Sequence, residues 1–306
     1  MKTLQLRARS AAKRAFTLIE IMVATVIMVV LVGLVIQITS EVLKVWTRSS
    51  GKLSANAEAR IALDLITQDL ETAVFRNNGQ QWLRVEAPKN TEQGGGSLYT
   101  DQTVSLKLFS PALDRPKEDA AGVAIPGDIC AVGYRLAYKK SYSGVNAPDV
   151  YALYRRVVDP KVTFNDYLGS GSSGPQLTLV DPTLWADFGD NSITDEANYL
   201  AGNIIEFKIL IYEQPATVGA LVVPVNVTPA GELKEDLNYA YGGDPDTDSA
   251  VSTNQLLYAD VILTVVSDAG LEMLNNLGKI PESAAEIVQQ HGDTFMRRVN
   301  FMAHPL

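Results

Sequence analysis

Cysteine and histidine are almost absent from this 306-residue chain, which has Cys130 alone and only His291 and His304. One cysteine cannot close an internal disulfide, and one cysteine with two histidines cannot build the usual zinc cluster, so disulfide scaffolds and zinc-finger-type folds are excluded. Proline does not appear before Pro88, so the commonest helix breaker is missing from a long N-terminal stretch. No Gly-x-Ser-x-Gly, Walker-type loop or His-Glu-x-x-His is present, and the usual nucleophile and metal-hydrolase templates find no support. The glycine-rich stretches 94–96 and 169–174 do not lead from a strand into a helix and read as connections rather than phosphate cradles. Acid is missing from residues 1–15, which hold Lys2, Arg7, Arg9, Lys13 and Arg14. Setting them aside leaves 21 of the 26 bases against all 35 acids, a net of −14. A body that acidic repels phosphate backbones, so nucleic-acid binding by the bulk surface is not expected.

What is present is apolar. Hydrophobic residues make up 46% of the chain and charged residues 20%, a composition that folds rather than one that stays disordered. Residues 21–40 pass without a single charge. As a helix they span about 30 Å, the thickness of a bilayer's hydrocarbon core. The basic head before them keeps the N-terminus cytoplasmic and sends the remainder outside. The run is longer than the core of a signal peptide, and Gln37-Ile38-Thr39-Ser40-Glu41 offers no small-x-small cleavage site. Glu20 sits at the head of this segment, where an ionised side chain costs on the order of 2 to 3 kcal/mol and calls for a cationic partner.

The segment Ala15-Phe16-Thr17-Leu18-Ile19-Glu20-Ile21-Met22-Val23-Ala24 resembles the processing site of type IV pilins and pseudopilins. The resemblance implies cleavage between Ala15 and Phe16 by a prepilin peptidase, N-methylation of Phe16, and Glu20 as the fifth mature residue. In that family the Glu pairs with the N-terminal amine of a neighbouring subunit, which lets two charges neutralise each other in lipid. The residue before the cut is most often Gly in the family, whereas here it is Ala15.

Beyond the membrane segment the helical pattern continues. Leu53, Ala57, Ile61 and Leu65 form one i, i+4 row, and Ala62, Ile66, Leu70 and Val74 form a second beside it. Together they predict an apolar stripe, with Glu58, Arg60, Asp64, Gln68, Asp69, Glu71 and Arg76 on the polar face and a stop at Asn77-Asn78-Gly79. The expectation is one helix from about Thr17 to Arg76, with Gly51 as a soft point. The segment 55–73 also resembles the second helical half of J-type minor pseudopilins of type II secretion and of W-type minor pilins.

From residue 79 the texture becomes short strand-like runs divided by turn chemistry. Val104 to Leu108, Ile129 to Tyr138, Val150 to Val158, Ile204 to Glu213 and Leu256 to Ser267 read as strands, the last two as central ones. Ser267 to Glu272 and Ser283 to Gln290 read as short helices, and Phe295 to Phe301 as a closing strand. Cys130 reads as a buried small hydrophobe. Asp244, Asp246 and Asp248 alternate along one loop and either converge on Ca²⁺ or form a solvated acidic loop; no other cofactor is expected.

The fold class expected is α+β and pilin-like: a long N-terminal helix, half transmembrane and half amphipathic, packed on an antiparallel β-sheet head with long loops. The divisions are a basic leader (1–15), a transmembrane helix (16–40), its amphipathic continuation (41–78) and an extracytoplasmic head (79–306). The functional expectation is a non-enzymatic minor pseudopilin in the inner membrane. Its partners are a prepilin peptidase, the lipid bilayer, and other pilins met through the N-terminal helix in a pilus-like filament. The alternative is a membrane-anchored periplasmic enzyme or ligand-binding protein.

Overall fold

The structure is a computed structural model. It describes residues 17–75, 81–86, 103–112, 117–118, 124–125, 129–140, 149–168, 179, 185, 192–217, 219–229, 233–234, 238–242, 250–252, 254–277 and 284–301. The chain divides into two compact units, Met1–Ser49 and Ser50–Leu306. One helix, α1 (Leu18–Glu71), contributes to both and passes through Gly51 without a break.

The α1 helix ends at Glu71, short of the Arg76 that the apolar pattern predicts. The reason is competition for backbone partners. The Ala73 N–H tightens onto Leu70 O (3.3 Å), and the next amide, Val74, donates to Phe109 O in the sheet at 2.7 Å. The expected stop at Asn77-Asn78-Gly79 lies outside the described residues.

Which face of α1 is buried also differs from the expected stripe. Ala55, Ala59, Ala62, Leu63, Ile66 and Leu70 are at most 7% exposed, whereas Leu53 and Ile61 are 68% and 59% exposed. Only the second of the two predicted rows seats the helix. Asp69, assigned to the polar face, is buried.

Twelve strands follow among the described residues: β1 (Leu83–Glu86), β2 (Ser105–Ser110), β3 (Lys117–Glu118), β4 (Ala124–Ile125), β5 (Cys130–Lys140), β6 (Asp149–Val157), β7 (Tyr199–Gly202), β8 (Ile204–Glu213), β9 (Asn238–Tyr241), β10 (Ala250–Ser252), β11 (Leu256–Val266) and β12 (Gly292–Asn300). They form a seven-stranded sheet ordered β10-β9-β1-β2-β5-β6-β7, a three-stranded sheet ordered β12-β11-β8, and the hairpin β3-β4. Every pair is antiparallel except β10 with β9. The head therefore holds two main sheets where the sequence suggested one. Of the two strands expected to be central, β11 is central in its sheet and β8 is an edge.

Period-two alternation places Leu106, Leu108 and Ser110 of β2 on one face, with Tyr134 of β5 and Arg155 of β6 beside them in register. The Asp69 carboxylate reaches this face. Arg155 donates from Nε to Oδ2 at 2.9 Å and from Nη2 to Oδ1 at 3.2 Å. The Ser110 hydroxyl donates to Oδ1 at 3.0 Å, and the Tyr134 hydroxyl donates to Oδ2. Arg155 Nε also donates to Tyr134 Oη at 2.8 Å. Burial, with the Asp69 carboxylate next in effect, pushes the Tyr134 hydroxyl well above its ordinary pKa, so it stays a donor.

The opposite face carries a second buried charge group. Arg84 Nε lies 2.6 Å from Glu86 Oε2, and Lys107 pairs with Glu86 Oε1. Burial works against the Glu86 carboxylate, but Lys107 and Arg84 outweigh it and hold its pKa below the ordinary value.

The three-stranded sheet turns Val261, Leu263 and Val265 of β11 and Phe207 and Ile209 of β8 into the same core as the buried row of α1. Its outer strand β12 meets α1 along a polar row. Lys52 Nζ lies 3.1 Å from Asp293 Oδ1, and Asn56 Nδ2 donates to Asp293 Oδ2 at 2.7 Å. The Arg60 guanidinium stands 5.4 Å from the Phe295 ring centre, and Arg297 pairs with Asp64. Four helical residues rise about 6 Å and two strand residues about 6.8 Å, so helix and strand stay in step over three contacts.

The free side of β8 is covered by a segment in which the buried Asn226 side chain acts as a surrogate strand. Its Nδ2 donates to Ile209 O at 2.6 Å and its Oδ1 accepts from Ile211 N at 2.9 Å. The helices Asp268–Leu277 and Ala284–His291 lie where the sequence placed them and close a smaller apolar cluster around Tyr151, Ile205, Val266 and Leu274.

Two outcomes are expected. Asp69→Ala removes the carboxylate that buried Arg155 donates to and lowers stability by about 3 to 5 kcal/mol, whereas Ile61→Ala stays within about 0.5 kcal/mol. Urea unfolding of the two variants measures the contrast, and equal midpoints contradict the assigned helix face. Because the folded pKa of Glu86 is lowered, its contribution is fully present above the unfolded value and is lost as pH falls through the folded value. Glu86→Gln should therefore flatten the acid limb of the stability curve below about pH 4.5, read from thermal melts across pH.

Candidate functional site: the apolar N-terminal helix

The first turn of α1 is fixed by local chemistry. Thr17 precedes the helix, and its Oγ1 accepts from Glu20 N at 3.3 Å while its carbonyl accepts from the amides of Glu20 (3.1 Å) and Ile21 (3.3 Å). Thr17-Leu18-Ile19-Glu20 has the spacing of a capping box, and Glu20 lies in the first turn, where the helix dipole favours a carboxylate. Among the described residues no cation comes within ion-pair distance of Glu20.

From Leu18 to Trp46 the large apolar side chains are between 48% and 78% exposed. Leaving such a side chain in water rather than burying it costs about 1.5 to 3 kcal/mol. The helix holds a stretch of mean hydropathy 2.9, none of it buried, and is long and apolar enough to cross a membrane. Its threonine hydroxyls are satisfied within the helix. Thr25 donates to Met22 O, Thr39 to Val35 O (each 2.8 Å) and Thr47 to Leu43 O (3.0 Å). The first charges beyond the run, Glu41 and Lys44, pair with each other at 3.3 Å. Trp46 follows, with the amphipathic ring that suits a membrane–water interface.

Of the residues singled out in the sequence, Glu20 is placed in the first turn of α1. Ala15 and Phe16 lie outside the described residues, as do Asp244, Asp246, Asp248 and His304. Cys130 is buried in β5, and His291 is buried at the end of its helix. Among the described residues no three His, Cys, Asp or Glu side chains converge as metal ligands. Pattern reading missed Asp69. The signal was available, because Asp69 continues the spacing of Ala55, Ala59, Ala62 and Ile66 along the buried face.

Comparison with known protein families picks out the same segment. Residues 10–36 match the family described as the prokaryotic N-terminal methylation motif. No curated protein matches the chain. Among solved structures, the chain is similar to a type IV-like pilin from Thermus thermophilus, with 8% identity over 80% of this chain and 94% of that one, at a TM-score of 0.33.

Deleting residues 18–40 should release the protein from membranes, whereas the intact chain should stay in the pellet after alkaline carbonate washing. Immunoblotting of the two fractions reads the result.

Proposed function

We propose that this chain is a membrane-anchored, non-enzymatic subunit of a pilus-like filament, of the minor pseudopilin kind. A prepilin peptidase removes residues 1–15 and exposes Phe16, which is then methylated on its new amine. The observation that carries the reading is the methylation motif over residues 10–36, with Glu20 the lone charge at the head of the exposed apolar stretch of α1.

The mechanism follows from the cost of charge in lipid. Cleavage leaves a cationic amine four residues before the Glu20 carboxylate, and each alone is expensive in hydrocarbon. The amine of one subunit set against Glu20 of the next neutralises both, so a correctly staggered pair is favoured over a lone helix. The apolar flanks carry packing between helices, and the head projects outside the membrane. A head of more than 200 residues is hard to accommodate at every step of a helical filament, which favours a low-copy or tip position. The system that the filament serves, type II secretion or another, is read only from the resemblance of the helix to J-type and W-type subunits.

The test is the intact mass and N-terminal sequence of membrane-extracted protein produced with and without a prepilin peptidase. A mature chain that starts at N-methylated Phe16 is expected with the enzyme, and retention of residues 1–15 beside an active peptidase overturns the reading. Glu20→Ala should leave membrane anchoring intact and lower recovery in sheared filaments by about tenfold or more, the loss that corresponds to about 1.4 kcal/mol.

A further inference from the structure

Where β7 hands the chain from the seven-stranded sheet to the three-stranded one, the link is Gly202-Asn203, and Asn203 adopts a left-handed backbone (φ 59°). Its N–H donates to Tyr151 O at 2.7 Å and its carbonyl accepts from Val266 N at 2.9 Å, so this link is held from both sheets. Beside it is a cavity of about 460 Å³, within the range of small-molecule sites.

Three separate elements each bring a carboxylate to this cavity: Glu58 from α1, Glu196 from the turn before β7, and Asp268 from the start of the helix Asp268–Leu277. Glu58 Oε2 accepts from the Gly202 amide at 3.2 Å, and Asp268 Oδ1 accepts from Asn203 Nδ2 at 2.6 Å. Each is thereby positioned with a second oxygen to spare. The Tyr199 hydroxyl occupies the space above Gly202, where a Cβ would come within 2.6 Å of it.

The remaining wall is aromatic and aliphatic. Tyr154 is 2% exposed and its ring packs edge-on to Tyr199 at 6.2 Å, yet its hydroxyl has no hydrogen-bond partner among the described residues. Tyr154 itself lines the cavity. Burial first, then the field of Tyr199 and Glu196, pushes its pKa up to about 12. Val150 completes an apolar patch. Lys139 stands behind Tyr154, 5.1 Å from its ring, and bonds the Thr194 carbonyl; Asp195 and Glu196 face it.

We infer that this cavity binds an aliphatic polyamine: ammonium groups spaced along a methylene chain. The carboxylates do not converge as a metal site, so they suit several spaced cations better than one ion. An ammonium directs its three donors apart and can meet one carboxylate and the waiting Tyr154 hydroxyl, while the methylenes lie on Val150 and the tyrosine rings. The same chemistry is offered by a free polyamine or by lysine side chains of a peptide. The inference stands independently of filament assembly.

The experiment is isothermal titration of the full-length protein in detergent with spermidine and, separately, with an N-acetylated Lys-Gly-Lys peptide amide, against sodium chloride of equal ionic strength. Saturable binding of one or both is expected, and the stronger of the two identifies the source. Glu58→Gln with Glu196→Gln should weaken binding about tenfold or more, and Tyr154→Phe, which keeps the ring, a few-fold. Flat titrations with both amines, heats matched by sodium chloride, or unchanged affinity in the Glu58/Glu196 variant overturn the inference. Unchanged thermal melts of the variants show that a lost signal is not a lost fold.

Discussion

The buried pairing of Asp69 with Arg155 is the constraint around which the head is arranged. A carboxylate and a guanidinium removed from water cost several kcal/mol each, and the cost is offset only because both oxygens of Asp69 are met, by Arg155, Ser110 and Tyr134. Three strands must be in register for those donors to meet one helical position. The pairing therefore sets the rotation of α1 about its axis as well as its seat on the sheet, which an apolar row of alanines and isoleucine alone leaves loosely defined. With that rotation set, Leu53 and Ile61 face outward, and the row from Lys52 to Asp64 faces β12.

A single helix thus carries two patterns. From Ile21 to Ser40 it carries no charge and its large apolar side chains are exposed on every side; from Ala55 onward a narrow buried row alternates with charge. No proline or cap divides the two regimes, only the change in pattern. The proposed role needs both, with one length committed to lipid and neighbouring helices and another committed to carrying the head.

Much of this was legible in the sequence, because the signals are periodic or local. The uncharged run 21–40, the hairpin of β5 and β6, the long β8 and β11 strands, and the two short helices all announce themselves within a dozen residues. What failed was non-local. The helix stops at Glu71 because Phe109 takes the next free amide, and no property of residues 71–76 says so. Two i, i+4 rows looked equivalent until Arg155, far along the chain, selected the face holding Asp69. Division into two sheets depends on a left-handed Asn203, and an asparagine between two strand-like runs reads as an ordinary turn. Glu58 read as part of a polar helix face, nothing local singled out Glu196 or Asp268, and only the fold brings the three to one cavity.

The matching of α1 to β12 bears on the order of events as the chain is made. Asp64 and Arg297 are separated by 233 positions, yet one clasps the other. The helix is synthesised well before the strand that grips its flank. Contacts of such long range form late and slowly, because the loop between them must be ordered before they reward it. The flank of the helix that faces β12 is consequently fastened late, after the face that Arg155 grips, and until then one side of the helix travels unclasped.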